Sequence, residues 1–334
     1  MPSYAEYEEL SLRLYRRGAI EPRYARLHEV AAGDPDALVP WDKAHGTFLW
    51  DFFPPLFNCL RRERLGRLGD GGKVVCNVHE LVRLGTSCAV LSFGVRDDAS
   101  FELELASRTL CTIHMFDPSI ERLPLPKEVP PAVHARLHFH RVGLRGASMP
   151  AGHGGGEFDT LGKLLSRVGV RRVHLLKMDI EGNEWEVLQQ MSEAGTLAKV
   201  DQLLVELHFA QVDTNRVGAS SGVRQVFDFF YMAERGGLLP FSWEVNHLLS
   251  GVYKLRPACV EYSFRRPLLL SSAQVNAILQ VRPSMAKRTA SNVSHARTRL
   301  DGARGKSRSH RHVRENGRPR AFLIDNSSDS RNTL

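Results

Sequence analysis

Long apolar runs are missing from this chain of 334 residues. The most apolar early stretch, residues 48–60, is broken by Asp51, Pro54 and Pro55, well short of the roughly 18 consecutive apolar residues of a membrane span. A basic, apolar leader is missing too: Glu6, Glu8 and Glu9 precede any apolar run, the wrong order for a secretory signal or transit peptide. A non-secreted, cytoplasmic protein is therefore expected. Cysteine is scarce. Cys59, Cys76, Cys88, Cys111 and Cys259 are odd in number and form no CxxC pair, which predicts buried reduced thiols in place of a disulfide framework or a zinc cage. The sequons at Asn292-Val293-Ser294 and Asn326-Ser327-Ser328 are idle in a chain that is not exported. Most of the sequence also lacks an excess of either charge. The net charge of +8 equals the surplus of 12 basic over 4 acidic residues in 283–334, leaving 33 of each sign before it.

What is present is an ordinary globular composition, 43% hydrophobic and 25% charged, which excludes a collagen or a wholly disordered chain. Residues 4–17 and 22–31 read as short helices, ahead of a turn-rich stretch and an aromatic-rich approach to about residue 65. Residues 1–56 are thus expected to form an N-terminal helical cap. From Val74 onward, short apolar or β-branched runs alternate with helical patterns, the sign of a parallel sheet with crossover helices. Seven strands are predicted: Ala89 to Phe93, Thr112 to Phe116, Leu137 to Val142, Val173 to Met178, Gln202 to Leu207, Leu238 to Trp243 and Cys259 to Phe264. Helical faces lie between them at Thr160 to Val168, stopped by Gly169, at Glu184 to Met191, and at Val223 to Arg235. The last two strands have no long helical pattern between them and are expected to pair antiparallel. The expected class is α/β, a Rossmann-like seven-stranded, mostly parallel sheet with an antiparallel edge hairpin over residues 57–282. Residues 283–334, rich in Ser, Arg, His and Gly, read as a disordered basic tail.

Four strand ends carry polar residues suited to chemistry. Ser92-Phe93-Gly94 runs into a turn before a helical stretch, which brings backbone amides toward a ligand at the carboxyl end of the strand; an ordinary strand-to-helix turn reads the same way. Asp117 ends the next strand, roughly 20 residues on, where a βαβ unit presents a carboxylate to a ribose diol. A helix N-cap is its other reading. With no further glycines in the loop, an adenosine ligand fits better than a dinucleotide pyrophosphate. Asp179 and Glu181 end the strand Val173 to Met178 beside Gly182, facing one crevice. There they can bind an amino group, hold a divalent metal or take a proton from a hydroxyl, or simply complement a helix dipole. His208 should emerge at the same edge as Asp179 and can act as a base near neutral pH, or cap a helix; Glu206 reads as structural. Asp70-Gly71-Gly72-Lys73 reads as a hairpin turn or lid. His134, His138 and His140 alternate without a Cys or acid at metal spacing. No metal site is expected.

Lys177-Met178-Asp179-Ile180-Glu181-Gly182-Asn183-Glu184-Trp185 resembles the K-x-D-I-E-G-x-E-W signature of FkbM-type methyltransferases. Leu68 to Lys73, Ser92-Phe93-Gly94, Phe116-Asp117-Pro118, Leu204 to Phe209 and Glu261 to Phe264 are similar to stretches of related methyltransferase-like proteins, so the resemblance spans about residues 57–266. It implies a class I methyltransferase domain with S-adenosyl-L-methionine as cofactor. Ser92, Phe93 and Gly94 would line its methionine side, Asp117 its ribose, and Asp179 the crevice near the reacting methyl. Asp179, His208 and Glu181 are then the candidate catalytic residues.

The expected reaction is O-methylation of a small molecule or glycan. The alternatives are a non-catalytic scaffold that kept the fold, and an RNA methyltransferase assisted by the tail. That tail can also make weak, non-specific contact with nucleic acid or acidic surfaces.

Overall fold

A computed structural model describes residues 3–23, 50, 53–55, 57–151, 156–208, 220–246 and 259–279, all within one compact unit, Met1–Pro283. Most of the expected second helix at 22–31, the loop around His153, both sequons and the basic tail lie outside the described residues. The first helix, Tyr4–Tyr15, starts at a capping box in which Ser3 and Glu6 satisfy each other's backbone N–H groups.

In chain order the strands are β1 (Arg62–Leu65), β2 (Lys73–Cys76), β3 (Ala89–Phe93), β4 (Thr112–Phe116), β5 (Leu137–His140), β6 (Val142–Leu144), β7 (Glu157–Asp159), β8 (Leu175–Met178), β9 (Gln202–His208), β10 (Leu239–Val245) and β11 (Cys259–Arg265). Seven of them form one sheet in the order β10-β11-β9-β8-β3-β4-β5. The neighbours from β5 to β9 run parallel, whereas β11 is antiparallel to both β9 and β10. The expected seven-stranded sheet with its late antiparallel hairpin is what forms. Chain order reverses at β3, which lies between β4 and β8, so a crevice opens beyond their carboxyl ends.

Both faces of the sheet are covered. Leu91, Phe93, Leu176, Met178, Leu203 and Val205 enter one apolar cluster, while their alternate neighbours Val90, Leu175, Leu204, Ile113 and Met115 enter another. This is the period-two pattern of a strand buried on both sides. The helix Leu161–Val168 ends at Gly169 in the left-handed region, φ 70°, as its sequence predicts.

Two expectations are corrected. The single strand foreseen from Leu137 to Val142 is two: β5 stays in the sheet, while β6 leaves it to pair with β7. The thiols are not all reduced. Cys59 is bonded to Cys76 and Cys88 to Cys111, leaving Cys259 buried and free. The first bridge reaches the end of the hairpin β1–β2. The second links the residues just before β3 and β4, which pair in parallel register from Ala89 and Thr112.

Candidate active site

The turn after β3 begins at Gly94, whose φ of +77° few side chains tolerate and where an added Cβ would overlap the carbonyl oxygen of Asp179. The Gly94 N–H donates to the Phe116 carbonyl at 3.0 Å, and the Gly94 carbonyl accepts from Lys177 Nζ at 3.3 Å. The tips of β3, β4 and β8 are thereby tied together. Lys177 is buried and also pairs with Glu102 at 3.2 Å, which accepts a hydrogen bond from the Ser92 hydroxyl. Ser92 is thus committed to the interior and is absent from the cavity wall described below. It is fully buried two residues before the strand tip at Gly94, with its hydroxyl bonded to Glu102, and it is not brought together with the other expected residues.

Asp117, at the tip of β4, accepts from the Arg96 N–H at 2.8 Å and from the Ser119 N–H and hydroxyl at 2.8 and 2.5 Å. These bonds fix its orientation and use part of a carboxylate's acceptor capacity. After β8, Glu181 is held at φ 56° and Gly182 at φ 99°; a glutamate in that region is unusual enough to suggest a functional constraint. The buried Glu184 holds this turn, accepting from the Ile180 N–H at 3.0 Å and the Gly182 N–H at 2.9 Å. The same side chain sits 3.0 Å from His208 Nδ1. Glu184 was visible in sequence only within the Lys177 to Trp185 signature and as the start of a helical stretch; its position in the first turn of the helix Glu184–Glu193 is what lets it reach back to the turn.

The hairpin and the antiparallel strand add three residues that sequence reading left aside. Glu206 on β9 and Glu261 on β11 face each other in register, an arrangement of like charges that is unfavourable alone. Lys73, on β2 and only 1% exposed, lies between the acids: it hydrogen-bonds Glu261 and stands 3.3 Å from Asp179 Oδ2 and 3.9 Å from Glu206 Oε2. Asp70 to Lys73 forms the expected turn, between the paired strands β1 and β2, and it also delivers the cation that neutralises the site. Glu206 shares a strand face with His208, two residues on, and that spacing was the available signal.

Burial, followed by Asp179 and Glu261, pushes the Glu206 carboxyl up to about 8. Burial would also raise Asp179, but Lys73, Lys177 and His208 outweigh it and hold that carboxyl below its usual range. For His208, burial opposes the charge, yet the Glu184 hydrogen bond and the nearby carboxylates prevail and raise the imidazole to about 9.

Phe93, Gly94, Asp117, Asp179, Glu181, Glu206 and His208 line one cavity of about 480 Å³. Six of the seven residues foreseen from sequence, all but Ser92, are therefore brought together. Seven Asp and Glu residues line this space against three Lys and Arg, a balance that attracts a cationic ligand. Its ionised carboxylates can bind positive charge or take up a proton.

The family described as "Methyltransferase domain" matches residues 20–264. The probable methyltransferase-like protein 24 of Homo sapiens is 27% identical over 141 residues, 41% of this chain and 37% of that protein. The Rattus norvegicus protein of the same name is 28% identical over equal shares. The matched segment thus spans little more than a third of the length of these curated relatives. Among solved structures, the methyltransferase FkbM from Methylobacillus flagellatus KT is 12% identical over 52% of this chain and 43% of its own, with a TM-score of 0.34. Since the matched region covers well over half of its residues, the chain belongs to the methyltransferase-domain family.

Proposed function

We propose that the chain is an S-adenosylmethionine-dependent methyltransferase that acts on an oxygen of a small molecule or glycan. The observation that carries this reading is Gly94. It is left-handed and packed so closely on the Asp179 backbone, at the point where chain order reverses, that the tips of β3 and β8 meet with no side chain between them, beside the cavity that Gly94 and Asp179 both line. The group fits the residues present: a cavity at the strand tips, a fixed carboxylate at the tip of β4, and an acid-rich wall that suits a sulfonium. When bound, the cofactor would supply an electrophilic methyl group.

The chain's own residues would bind, orient and deprotonate. Phe93 and Gly94 border the space for the methionine portion, and Asp117 offers its remaining acceptor capacity to the ribose. Asp179 and Glu206 stand at adjacent strand tips, where Asp179 can balance positive charge and Glu206, once ionised, can receive the proton of the acceptor hydroxyl, while His208, an imidazolium near neutral pH, stands beside them. The two disulfides favour an oxidising compartment over the cytoplasm, a setting in which a glycan acceptor is at home.

Calorimetry with S-adenosylhomocysteine tests the cofactor site. Stoichiometric binding to the intact chain, abolished by Gly94→Trp and weakened by Asp117→Ala, is expected. Absence of binding, or binding unchanged in both variants, would refute the reading.

A further inference from the structure

Asp70, Asp179, Glu206 and Glu261 each bring one carboxylate oxygen within 4.8 Å of the others, and all but Glu261 line the cavity. Two cations answer them. Lys73 Nζ hydrogen-bonds Glu261 and lies 3.3 Å from Asp179 Oδ2, while the His208 imidazolium commits Nδ1 to Glu184 at 3.0 Å. Glu206 and Glu261 are both buried, but only Glu261 receives the Lys73 hydrogen bond. Glu206 Oε2 stands 3.9 Å from Lys73 Nζ and 4.0 Å from His208 Nε2, beyond hydrogen-bond reach. Its own bonds go elsewhere: Oε1 accepts from the Asn246 amide at 2.9 Å, and the carboxyl is hydrogen-bonded to Asp179.

Two carboxyl groups can hydrogen-bond each other only when one of them carries a proton, because an ionised carboxylate accepts and cannot donate. That proton belongs to Glu206. Lys73, Lys177 and His208 keep Asp179 ionised, whereas burial and the surrounding acids hold the Glu206 carboxyl at about 8. Burial raises Glu261 as well, but Lys73 opposes it. The Cys259 thiol, pushed up to about 12 by burial and the same acids, stays protonated. Glu261 Oε2 is buried and has no hydrogen-bond partner among the described residues. The cluster therefore offers more acceptors than its donors fill, a shortage that one further positive charge would meet.

We infer that Asp179 and Glu206 hold one proton between them until a cation enters the cavity, and that the sulfonium of the methyl donor displaces this proton and leaves Glu206 ionised. A positive charge within about 4 to 6 Å weakens a carboxyl's hold on its proton by about tenfold to a thousandfold, which brings Glu206 to neutrality or below it. The inference deepens the methyltransferase reading and rests on it: the donor itself makes the base available. Glu206 then takes the acceptor's proton as the acceptor oxygen bonds the methyl carbon and the electron pair of the breaking C–S bond stays on sulfur. The shared proton is thereby restored beside a neutral thioether. Asn246 is a positioning residue, since its N–H holds Oε1 and favours the ionised form.

Titration calorimetry of the full chain at pH 7, repeated in buffers of different ionisation enthalpy, counts the protons exchanged on binding. S-adenosylmethionine and S-adenosylhomocysteine differ only in the methyl that makes the sulfur a cation, so the difference between them reports that charge. S-adenosylmethionine should release about one proton more, and its affinity relative to S-adenosylhomocysteine should rise by up to about tenfold per unit of pH between about 6 and 7, levelling off where Glu206 ionises unaided. Glu206→Gln should abolish the excess. Asn246→Ala should move the levelling-off to higher pH, which a merely structural change would not do. Circular dichroism establishes that each variant is folded. Equal release with the two ligands overturns the inference alone, and so does an excess that persists in folded Glu206→Gln, which would place the proton on His208. No binding of either ligand strikes the cofactor reading, and this inference with it.

Discussion

At the scale of single residues, Lys73 has the most to hold. Its ammonium is the cation shared by Asp179, Glu206 and Glu261, and burial makes their mutual repulsion costly once it is gone. Its own charge is opposed by burial, but those three acids outweigh that and push its pKa well above the usual lysine value. Lys73→Met should destabilise the protein by about 3 to 5 kcal/mol, the cost of leaving buried charge uncompensated. Denaturant unfolding reads this directly, and Lys73→Arg should recover part of the loss. A variant as stable as the parent would mean that the acids neutralise themselves by protonation. None of this was legible from Asp70-Gly71-Gly72-Lys73, because local sequence shows a turn, whereas the partners of Lys73 come from residues more than a hundred positions away. Glu261 was likewise visible only as part of a resembling stretch.

At the scale of elements, the sequence spoke most clearly where side-chain period and burial agree. β3 and β4 begin and end where their apolar runs do, and β9 needed only His208 added, because these strands are buried on both faces and flanked by turn residues. The stretch from Leu137 misled because Val142-Gly143-Leu144 is as apolar as a continuing strand; what separates β6 from β5 is its own partner β7, which supplies hydrogen bonds to β6 from another part of the chain. Cysteine pairing was hidden for a similar reason. Spacing within the chain does not report which residues adjacent strands place together. The two bridges close loops of 17 and 23 residues, each able to stabilise by about 3 kcal/mol through the unfolded chain. Dithiothreitol should therefore lower the melting temperature. Replacing Cys88 and Cys111 together by alanine should reproduce part of that fall, and the remaining sensitivity to reductant should belong to Cys59–Cys76. An unchanged melting curve under reductant would contradict this.

For the molecule as a whole, charge and fold are separable. The surplus of +8 sits entirely in residues 283–334, and the rest balances at 33 against 33. Removing that segment should leave S-adenosylhomocysteine affinity and melting temperature unaltered, while the shortened chain leaves a heparin column at markedly lower salt. A loss of cofactor affinity on truncation would show instead that the tail contributes to the site.

The position of Cys76 ties the bridges to the chemistry. It ends the same four-residue strand that Lys73 begins, so the covalent bond to Cys59 anchors the segment that keeps a cluster of acids from repelling one another. Oxidation would thus act as a maturation step, assembling a competent catalyst only after the chain has met the right redox surroundings. Protein prepared under reductant could then look inert for want of a clamp and not for want of a substrate.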